Sequence, residues 1–295
     1  MNRKPILAGA AALALGATGL GMAGLARSAD AAVGDVPADC SVNTAAYRSD
    51  GQRLSYGYSA GQTSTKAYGN DTLGWVPSAH QQIGASGDDT VFRSTEVAAH
   101  PTDGWLYKVS REGHLQDDGT WSVTSTAARL KSGFAGTRVL ASGSPYLFRL
   151  AGGVLYRYQE KYVDGEFTYS APVKLTTGWE SVKTLTYEGT RGSGASTVDV
   201  LIGTKANGEL REWKINRATP TKISGTTLRT SGWGSFTSLS TGFCAEHPNG
   251  RPLLAITADG RGSVHFDANS KDGVATDMKG ASLGQLGWTA KAYGQ

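Results

Sequence analysis

Short apolar runs separated by glycine-containing turns recur along most of the chain. Val200-Leu201-Ile202 is followed by Asn207-Gly208 and then by the alternating run Glu209-Leu210-Arg211-Glu212-Trp213. Such a turn between two runs favours a hairpin, because tight hairpin turns need positive φ at consecutive residues. Turns of the same kind occur at Asp50-Gly51, Asp103-Gly104, Gly152-Gly153 and Asp259-Gly260. The pattern predicts antiparallel strands joined by hairpins.

A second feature alternates with these turns, namely a leucine followed within a few residues by glycine and an aromatic residue. Its instances are Leu73 with Gly74-Trp75, Leu130 with Gly133-Phe134, Leu175 with Gly178-Trp179, Leu228 with Gly232-Trp233, and Leu283 with Gly287-Trp288. Units of about 50 residues with four strands each are typical of propeller blades. The sequence therefore predicts an all-β fold, a five-bladed β-propeller with four-stranded antiparallel blades. Tandem fibronectin-like sandwiches are the alternative, but they need about 100 residues per domain.

The first segment has the features of an export signal. Two basic residues precede the apolar stretch 5–26, and Ala29-Asp30-Ala31 is a small-x-small site that suits signal peptidase. We expect a signal peptide over 1–31 and a single propeller domain over 32–295, which makes the protein secreted, extracellular and free of the membrane. An uncleaved membrane anchor is the alternative, although several glycines weaken the hydrophobicity of the stretch.

Composition narrows the function classes. The chain has 40 glycines among 295 residues and 18% charged residues, which suits a globular protein with many turns and argues against disorder. No cluster of lysine or arginine in the mature chain could pair with a phosphate backbone, so nucleic acid is not an expected partner. Asp267, Asn269 and Asp272 hint at a calcium loop, but Lys271 occupies a ligand position there. We expect neither a metal nor a cofactor.

The two ends of the repeat predict how the ring closes. The run 289–293 corresponds to the first strand of a unit, whereas the residues from Cys40 onward correspond to a second strand. The C-terminal strand is therefore expected to complete the first blade and to remove an exposed sheet edge. Cys40 and Cys244 hold equivalent places in the first and last units, and exported proteins favour disulfides. We expect these two cysteines to pair across the closure.

Two strands and the recurring Gly-Trp carry a family resemblance. The strands are Gly104-Trp105-Leu106-Tyr107-Lys108-Val109 and Gly153-Val154-Leu155-Tyr156-Arg157-Tyr158. With them the sequence resembles the tachylectin-2-like five-bladed propeller lectins, in a secreted actinobacterial style. Units of that family carry a Gly-x-Leu-Tyr strand and a Gly-Trp turn. The fourth unit departs from it with Arg211, and the fifth with Val264-His265.

This resemblance implies a lectin, a non-enzymatic protein that binds N-acetylated amino sugars or related glycans in pockets between adjacent blades. The expected partners are glycans on cell surfaces or a polysaccharide, which several weak sites on one rigid ring would engage multivalently. Similar propeller lectins occur as subunits of secreted, umbrella-shaped toxin particles. A subunit of such a multi-protein complex is therefore one alternative function.

Tight turns that bear Asp or Asn beside an aromatic ring suit sugar recognition, because a sugar presents both hydroxyls and a C–H face. The candidate ligand-binding residues are Asp50, Asp103, Asn207 and Asp259 for polar contacts, and Trp105, Tyr156 and Trp213 for stacking. Asp and Asn also favour positive φ in turns, which is the structural alternative for these positions. The five glycine-aromatic residues are expected to fill the spaces between blades.

Two enzymatic alternatives were compared with the lectin hypothesis. Gly57-Tyr58-Ser59-Ala60-Gly61 matches the G-x-S-x-G nucleophile elbow, but no helical pattern follows it, as that motif requires. Five-bladed propellers also include glycoside hydrolases with carboxylates at the axis. Glutamates such as Glu96, Glu188 and Glu212 keep that alternative open. We expect no catalytic residues.

Overall fold

Five antiparallel sheets follow one another along the chain. The computed structural model describes residues 35–288 and 290–294, and in this part of the chain the regular structure is almost entirely β-strand, with one 3₁₀ turn at Gly194–Ser196. The predicted signal peptide, 1–31, lies outside the described residues. Within the described ranges, no helix is long and apolar enough to span a membrane.

The sheets are the blades of a propeller, numbered here in chain order. Blade 1 contains β1 (Cys40–Tyr47), β2 (Gln52–Ser59) and β3 (Gln62–Thr72). Blade 2 contains β4 (Ala79–Gly87), β5 (Val91–Ala99), β6 (Trp105–Leu115) and β7 (Trp121–Ser132). Blade 3 contains β8 (Thr137–Gly143), β9 (Tyr146–Ala151), β10 (Val154–Val163), β11 (Glu166–Tyr169) and β12 (Val173–Thr177).

The later strands form the remaining blades. Blade 4 contains β13 (Thr186–Arg191), β14 (Val198–Thr204), β15 (Leu210–Asn216) and β16 (Ile223–Arg229). Blade 5 contains β17 (Phe236–Thr241), β19 (Arg251–Thr257), β20 (Arg261–Asp267) and β21 (Lys279–Gln285). The two-residue strand β18 (Phe243–Cys244) lies between β17 and β19 in the chain, but it pairs with β1 in the sheet of blade 1. The last strand is β22 (Ala292–Gly294).

Within each blade, strands that are neighbours in sequence pair antiparallel, which confirms the predicted five-bladed propeller. Blade 3 differs in one detail, because its outermost strand is interrupted and both β11 and β12 pair with β10. Pro172 lies in the interruption. A proline cannot donate the backbone hydrogen bond that a continuous strand requires there.

Burial explains the hydrophobic pattern of the sequence. The second strand of a blade is covered on both faces by neighbouring blades, and in β19 the residues from Arg251 to Ile256 are all buried. The outer strands β3, β7 and β21 are mostly exposed. Strands buried on both faces read as continuous apolar runs, so Leu253-Leu254-Ala255-Ile256 shows no alternation.

The ring closes where the sequence predicts. β22 pairs antiparallel with β1, with Ala46 opposite Tyr293. The hydroxyl of Thr44 donates a hydrogen bond to the carbonyl oxygen of Gly294 at 2.8 Å. The C-terminal strand therefore supplies the innermost strand of blade 1, and the first and last parts of the described chain share one sheet.

The two cysteines join blade 1 to blade 5. Cys40 of β1 lies opposite Cys244 of β18, and their Sγ atoms form a disulfide. The predicted pairing is confirmed. Because the bonded residues are 204 positions apart in sequence, the bond encloses most of the propeller in one covalent loop.

Five apolar clusters hold the blades together, each between two neighbouring blades. They include Tyr47, Leu73 and Val109 between blades 1 and 2; Leu106, Phe134 and Tyr158 between blades 2 and 3; Phe148, Trp179 and Trp213 between blades 3 and 4; Ile202, Trp233 and Leu253 between blades 4 and 5; and Tyr56, Ile256 and Trp288 between blades 5 and 1. The core is thus a ring of interfaces, and no single blade could bury its apolar faces alone.

Candidate functional site

The two repeated features of the sequence meet at one end of every blade. In blade 2 the backbone N–H of Phe134 donates to the carbonyl oxygen of the turn residue Gly104 at 2.8 Å. The equivalent bonds run from Trp179 to Gly153, from Trp233 to Gly208, from Leu73 to Gly51 and from Leu286 to Gly260. The hairpin turns and the glycine-aromatic segments therefore share one face of the propeller, which we call the turn face.

The turn glycines are required by their backbone conformation. Gly51, Gly104, Gly153, Gly208 and Gly260 all have φ between 71° and 93°. At Gly51 an added Cβ would also lie 2.0 Å from the carbonyl oxygen of Leu73. Larger residues are disfavoured there, so the repeated glycines set the shape of the turn face.

The predicted Asp and Asn residues are exposed in these turns, and their side chains help to form the turns. Oδ1 of Asp50, Asp103 and Asn207 accepts the backbone N–H two residues later at 3.0, 2.9 and 3.2 Å. Asp259 accepts a hydrogen bond from the Thr257 hydroxyl. The first three contacts are those of Asx turns, and all four residues remain exposed.

Trp75 differs from the other glycine-aromatic residues. Phe134, Trp179, Trp233 and Trp288 are buried between blades, as the sequence predicts. In blade 1, however, Leu73 bonds to the turn glycine and joins the apolar cluster, and Trp75, two residues further on, is only half-buried. An indole ring is thereby left accessible on the turn face.

Three rings form an aromatic group where blades 1 and 2 meet. The centroid of Trp75 lies 4.7 Å from that of His100 and 5.2 Å from that of Tyr107. His100 and Tyr107 are themselves 5.6 Å apart. All three are half-buried, so each ring has one part packed and another part exposed.

Charged and polar groups border these rings. Asp103 Oδ2 accepts the hydroxyl of Tyr107 at 2.7 Å, and Arg129 donates from Nε to the same hydroxyl at 3.2 Å. The guanidinium carbon of Arg129 lies 5.2 Å from the ring centroid of the half-buried Trp105. We call Trp75, His100, Asp103, Trp105, Tyr107 and Arg129 the Trp75 cluster.

Asp103 is the anion of the cluster. Desolvation raises the pKa of its carboxyl, but the hydrogen bonds from Tyr107 and from the Trp105 N–H, together with His100 and Arg129, outweigh this and hold the pKa below its ordinary value. The carboxylate is therefore ionised at neutral pH and accepts hydrogen bonds only. Arg129 lies 3.6 Å from it and supplies donors on the same side.

The structure brings Asp103 and Trp105 together and leaves the other predicted residues on separate blades. Tyr156 in blade 3 is half-buried, with the Arg149 guanidinium carbon 5.5 Å from its ring centroid. Trp213 in blade 4 is only 7% exposed and lies against Trp179, with a 4.9 Å separation of ring centroids. Its ring offers little free surface for stacking.

Four members of the Trp75 cluster were not predicted as ligand-binding residues. Tyr107 follows Trp105 by two residues in β6, and residues at this spacing point to the same face of a strand, which was a signal that could have found it. His100 and Arg129 had no such signal. His100 is placed by its backbone N–H, which donates to the carbonyl oxygen of Trp105, and Arg129 by its register opposite Tyr107 after a bulge in β7 pairing.

The G-x-S-x-G match is part of a hairpin. Residues up to Ser59 end β2, and Ala60 and Gly61 form the turn with φ of 52° and 74°. β3 starts at Gln62, so a strand follows the turn where a nucleophile elbow requires a helix.

Glu96, one of the glutamates considered for hydrolysis, is buried in an ion cluster between blades 1 and 2. Its Oε2 lies 3.1 Å from Arg53 Nε and 3.2 Å from Arg111 Nη1. Desolvation raises its pKa, but Arg111, His80 and Arg53 overcome that effect and hold the pKa well below its usual value. The cluster keeps a buried charge paired, as the stability of the interface requires.

A second ion cluster surrounds Arg251 between blades 4 and 5. Its guanidinium lies 2.5 Å from Glu188, 3.1 Å from Glu212 and 2.5 Å from Asp267. Glu188 and Glu212 thus form ion pairs with Arg251. Asp267 also pairs with this arginine, although the sequence placed it in a weak calcium pattern.

Comparison with known proteins gives only distant similarities. The chain matches no protein-family model and no curated protein sequence. Among solved structures it is similar to a fungal lectin from Aleuria aurantia with a six-bladed β-propeller fold, at 13% identity and a TM-score of 0.40 over 83% of this chain and 76% of that one.

Two further solved structures to which the chain is similar are named for two different functions. One is the BP39L lectin from Burkholderia pseudomallei, with 13% identity and a TM-score of 0.39 over 77% of each chain. The other is a putative 6-phosphogluconolactonase from Bacteroides fragilis, with 11% identity and a TM-score of 0.38 over 88% of this chain and 98% of that one. At these values the function has to be argued from the residues of this chain.

Proposed function

We propose that this protein is a secreted, non-enzymatic lectin whose principal sugar site is the Trp75 cluster. The observation that carries the proposal is the half-buried aromatic group of Trp75, His100 and Tyr107 beside an ionised Asp103 and an arginine. The proposed ligands are N-acetylated amino sugars or related glycans on a cell surface or in a polysaccharide.

The aromatic group supports this proposal because sugars stack their C–H faces on exposed rings. An isolated half-exposed tryptophan in a soluble protein needs no explanation, but three rings within 5.6 Å of one another form a contiguous surface. Its size suits one or two sugar rings. Tyr107 and His100 are held by neighbouring contacts, so little side-chain freedom is lost on binding.

The polar groups support it because they offer both donors and acceptors. Asp103 accepts hydrogen bonds from sugar hydroxyls, while Arg129 donates to hydroxyl or acetamido oxygens. Both side chains lie in a region of the blade that is open to solvent. Asp103 and Arg129 carry opposite charges beside the aromatic rings, and such an arrangement favours one orientation of a bound sugar.

The other blades carry different residues at the same positions. Blade 3 has Tyr156 beside Arg149, whereas blade 4 has Arg211 near Glu209, with 3.9 Å between their charged groups. We therefore assign the strongest site to blades 1 and 2 and a weaker aromatic site to Tyr156. Binding to a glycan-coated surface would then combine unequal sites on one rigid ring.

A glycan array with the mature chain, followed by calorimetry on the best ligand, tests the proposal. Trp75→Ala should raise the dissociation constant about 5- to 30-fold, because the stacking surface is lost and one such ring contributes about 1–2 kcal/mol. Asp103→Asn should also weaken binding, since the amide is a poorer acceptor than the ionised carboxyl.

Trp121→Ala is the matched control. Trp121 begins β7 at the opposite end of blade 2, is half-buried like Trp75, and lies against Phe92 with centroids 5.2 Å apart. The Trp121→Ala variant should have the same sugar affinity as the unmodified protein. Equal loss in both variants, or a mature protein that binds no glycan, would overturn the proposal.

The glycoside hydrolase alternative is tested in the same preparation. Lectin activity requires binding of glycans without release of product, so aryl-glycosides and polysaccharides should remain intact over many hours. Hydrolysis that is abolished by Glu96→Gln or Glu188→Gln would replace the lectin assignment with an enzyme.

A second candidate function is that of a subunit in a larger secreted complex. The observation that favours it lies at the tip of the β10–β11 hairpin, where Tyr162 is 74% and Val163 53% exposed. Adjacent exposed apolar residues are often covered in an assembly. Purification from culture supernatant decides between the two, because a lectin that acts alone should elute as a single species.

A further inference from the structure

The inner strands of all five blades enclose a cavity on the propeller axis. Its volume is about 360 Å³, and its lining includes Gln81 of β4, Leu140 of β8, Ser238 of β17 and Tyr293 of β22. Blade 4 contributes Thr184, just before β13. The cavity is therefore separate from the Trp75 cluster, which lies between blades 1 and 2.

The cavity reaches the turn face. Its lining includes Ser78, Arg138, Lys183, Thr237 and Lys291, which lie at or just before the start of the inner strands. Inner strands begin where the glycine-aromatic segments end, and those segments lie on the turn face. A ligand would enter the axis from that side.

The charge of this lining is one-sided. Arg138, Lys183 and Lys291 contribute three positive charges, and the remaining described residues of the lining are neutral. Among the described residues, none of these three cations lies within 4.0 Å of a carboxylate oxygen. They come from blade 3, blade 4 and the segment that leads into β22, so they line the cavity from three sides.

Two of the cations are held in place by neutral acceptors. Arg138 donates to the carbonyl oxygens of Val182 at 3.2 Å and Trp179 at 3.3 Å, and Lys183 donates to that of Gly234 at 2.5 Å. Backbone carbonyls orient the side chains without cancelling their charge. Arginine keeps further N–H donors and lysine two more for a ligand.

We infer that the axial cavity binds a small molecule bearing a carboxylate, sulfate or phosphate group. Several positive charges that line a concave site, with no negative charge beside them, concentrate the field and attract an anion, and the guanidinium suits the two oxygens of such a group. Ser78, Thr184, Thr237 and Ser238 supply hydroxyls for the rest of the ligand. The volume is at the lower end for ligand cavities and suits a charged monosaccharide.

Calorimetric titration of the mature chain with sodium sulfate, inorganic phosphate and glucuronate, with glucose as the neutral comparison, tests this inference. Glucuronate should bind more tightly than glucose, and the sulfate and phosphate arms show which oxyanion the cations accept. Arg138→Gln/Lys291→Gln should raise the dissociation constant for the preferred anion at least tenfold. Lys291→Gln alone should raise it severalfold and leaves the carbonyl contacts of Arg138 intact.

Lys66→Gln/Lys174→Gln is the control of equal charge change. Both lysines are exposed on outer strands, β3 and β12, away from the axis. Anion affinity should survive in this variant and in Trp75→Ala, which separates the axial site from the proposed sugar site. The inference would be refuted if the two double variants weakened anion binding equally. It would also be refuted if glucose bound as tightly as glucuronate, or if no anion bound at all.

Discussion

The disulfide at the ring closure should account for a large share of the stability of this propeller. Cys40 and Cys244 are separated by 204 positions, so the bond removes the conformational freedom of nearly the whole described chain from the unfolded state. Loop-closure entropy for a loop of roughly 200 residues corresponds to about 5 kcal/mol at 25 °C. Few single features of a protein of this size have a comparable effect.

The perturbation is the double substitution Cys40→Ala/Cys244→Ala, which removes the bond without leaving a free thiol. We expect the folded structure to persist, because β22 still pairs with β1 and the apolar cluster around Trp288 still joins blades 5 and 1. The free energy of unfolding should fall by about 3–5 kcal/mol, since some of the entropic gain is offset by residual structure in the unfolded chain.

Urea denaturation followed by tryptophan fluorescence measures this change. Adding a reducing agent to the native protein should reproduce the loss, and the same agent should leave the double variant unaffected. A loss below about 1 kcal/mol would refute the reasoning, because it would mean that the bond does not substantially restrict the unfolded chain.

Two further predictions concern the turns and the half-buried His265. Gly51→Ala should destabilise the protein by about 1–3 kcal/mol more than Gly61→Ala, because both have positive φ but only at Gly51 does the new Cβ meet a backbone oxygen, and urea denaturation of the two variants measures the difference. His265 has its pKa lowered to about 4 by desolvation and by Arg229, so the unfolded chain binds its proton first and stability should fall as the pH drops from about 6.5 to 4. The loss should be roughly 3 kcal/mol and absent in His265→Gln; an equal pH slope in that variant would contradict the assignment.

The repeat shows how far local chemistry predicts a propeller. In the Asp-Gly and Asn-Gly turns the glycine takes a positive φ and the Asp or Asn before it does not, and the apolar runs need only the two-residue period of a strand. These properties belong to neighbours in sequence, so Gly104, Gly208 and Gly260 mark the hairpins without knowledge of the fold. The pairing of Cys40 with Cys244 was predicted in another way, from their equivalent places in the first and last units, which ring closure makes neighbours.

Binding surfaces depend on residues that the repeat does not relate to one another. In blades 1 and 5 the contact with the turn glycine is made by the leucine two residues before the tryptophan, yet Trp288 is buried and Trp75 is only half-buried, a difference that no local pattern marks. Arg129 reaches Tyr107 because a bulge changes the register between β6 and β7. The buried pair of Trp179 and Trp213 shows the opposite case, in which a residue that looked suitable for stacking is covered by the next blade.

The amino-acid sequence by itself determined the strand content, the number of blades and the way the ring closes, because hydrophobic alternation and turn chemistry act between residues a few positions apart. Only the tertiary structure decided which aromatic rings face solvent. It also decided that three cations, Arg138, Lys183 and Lys291, line the axial cavity. Those arrangements depend on strand register and on contacts between blades, and such contacts join residues that are tens or hundreds of positions apart in the chain.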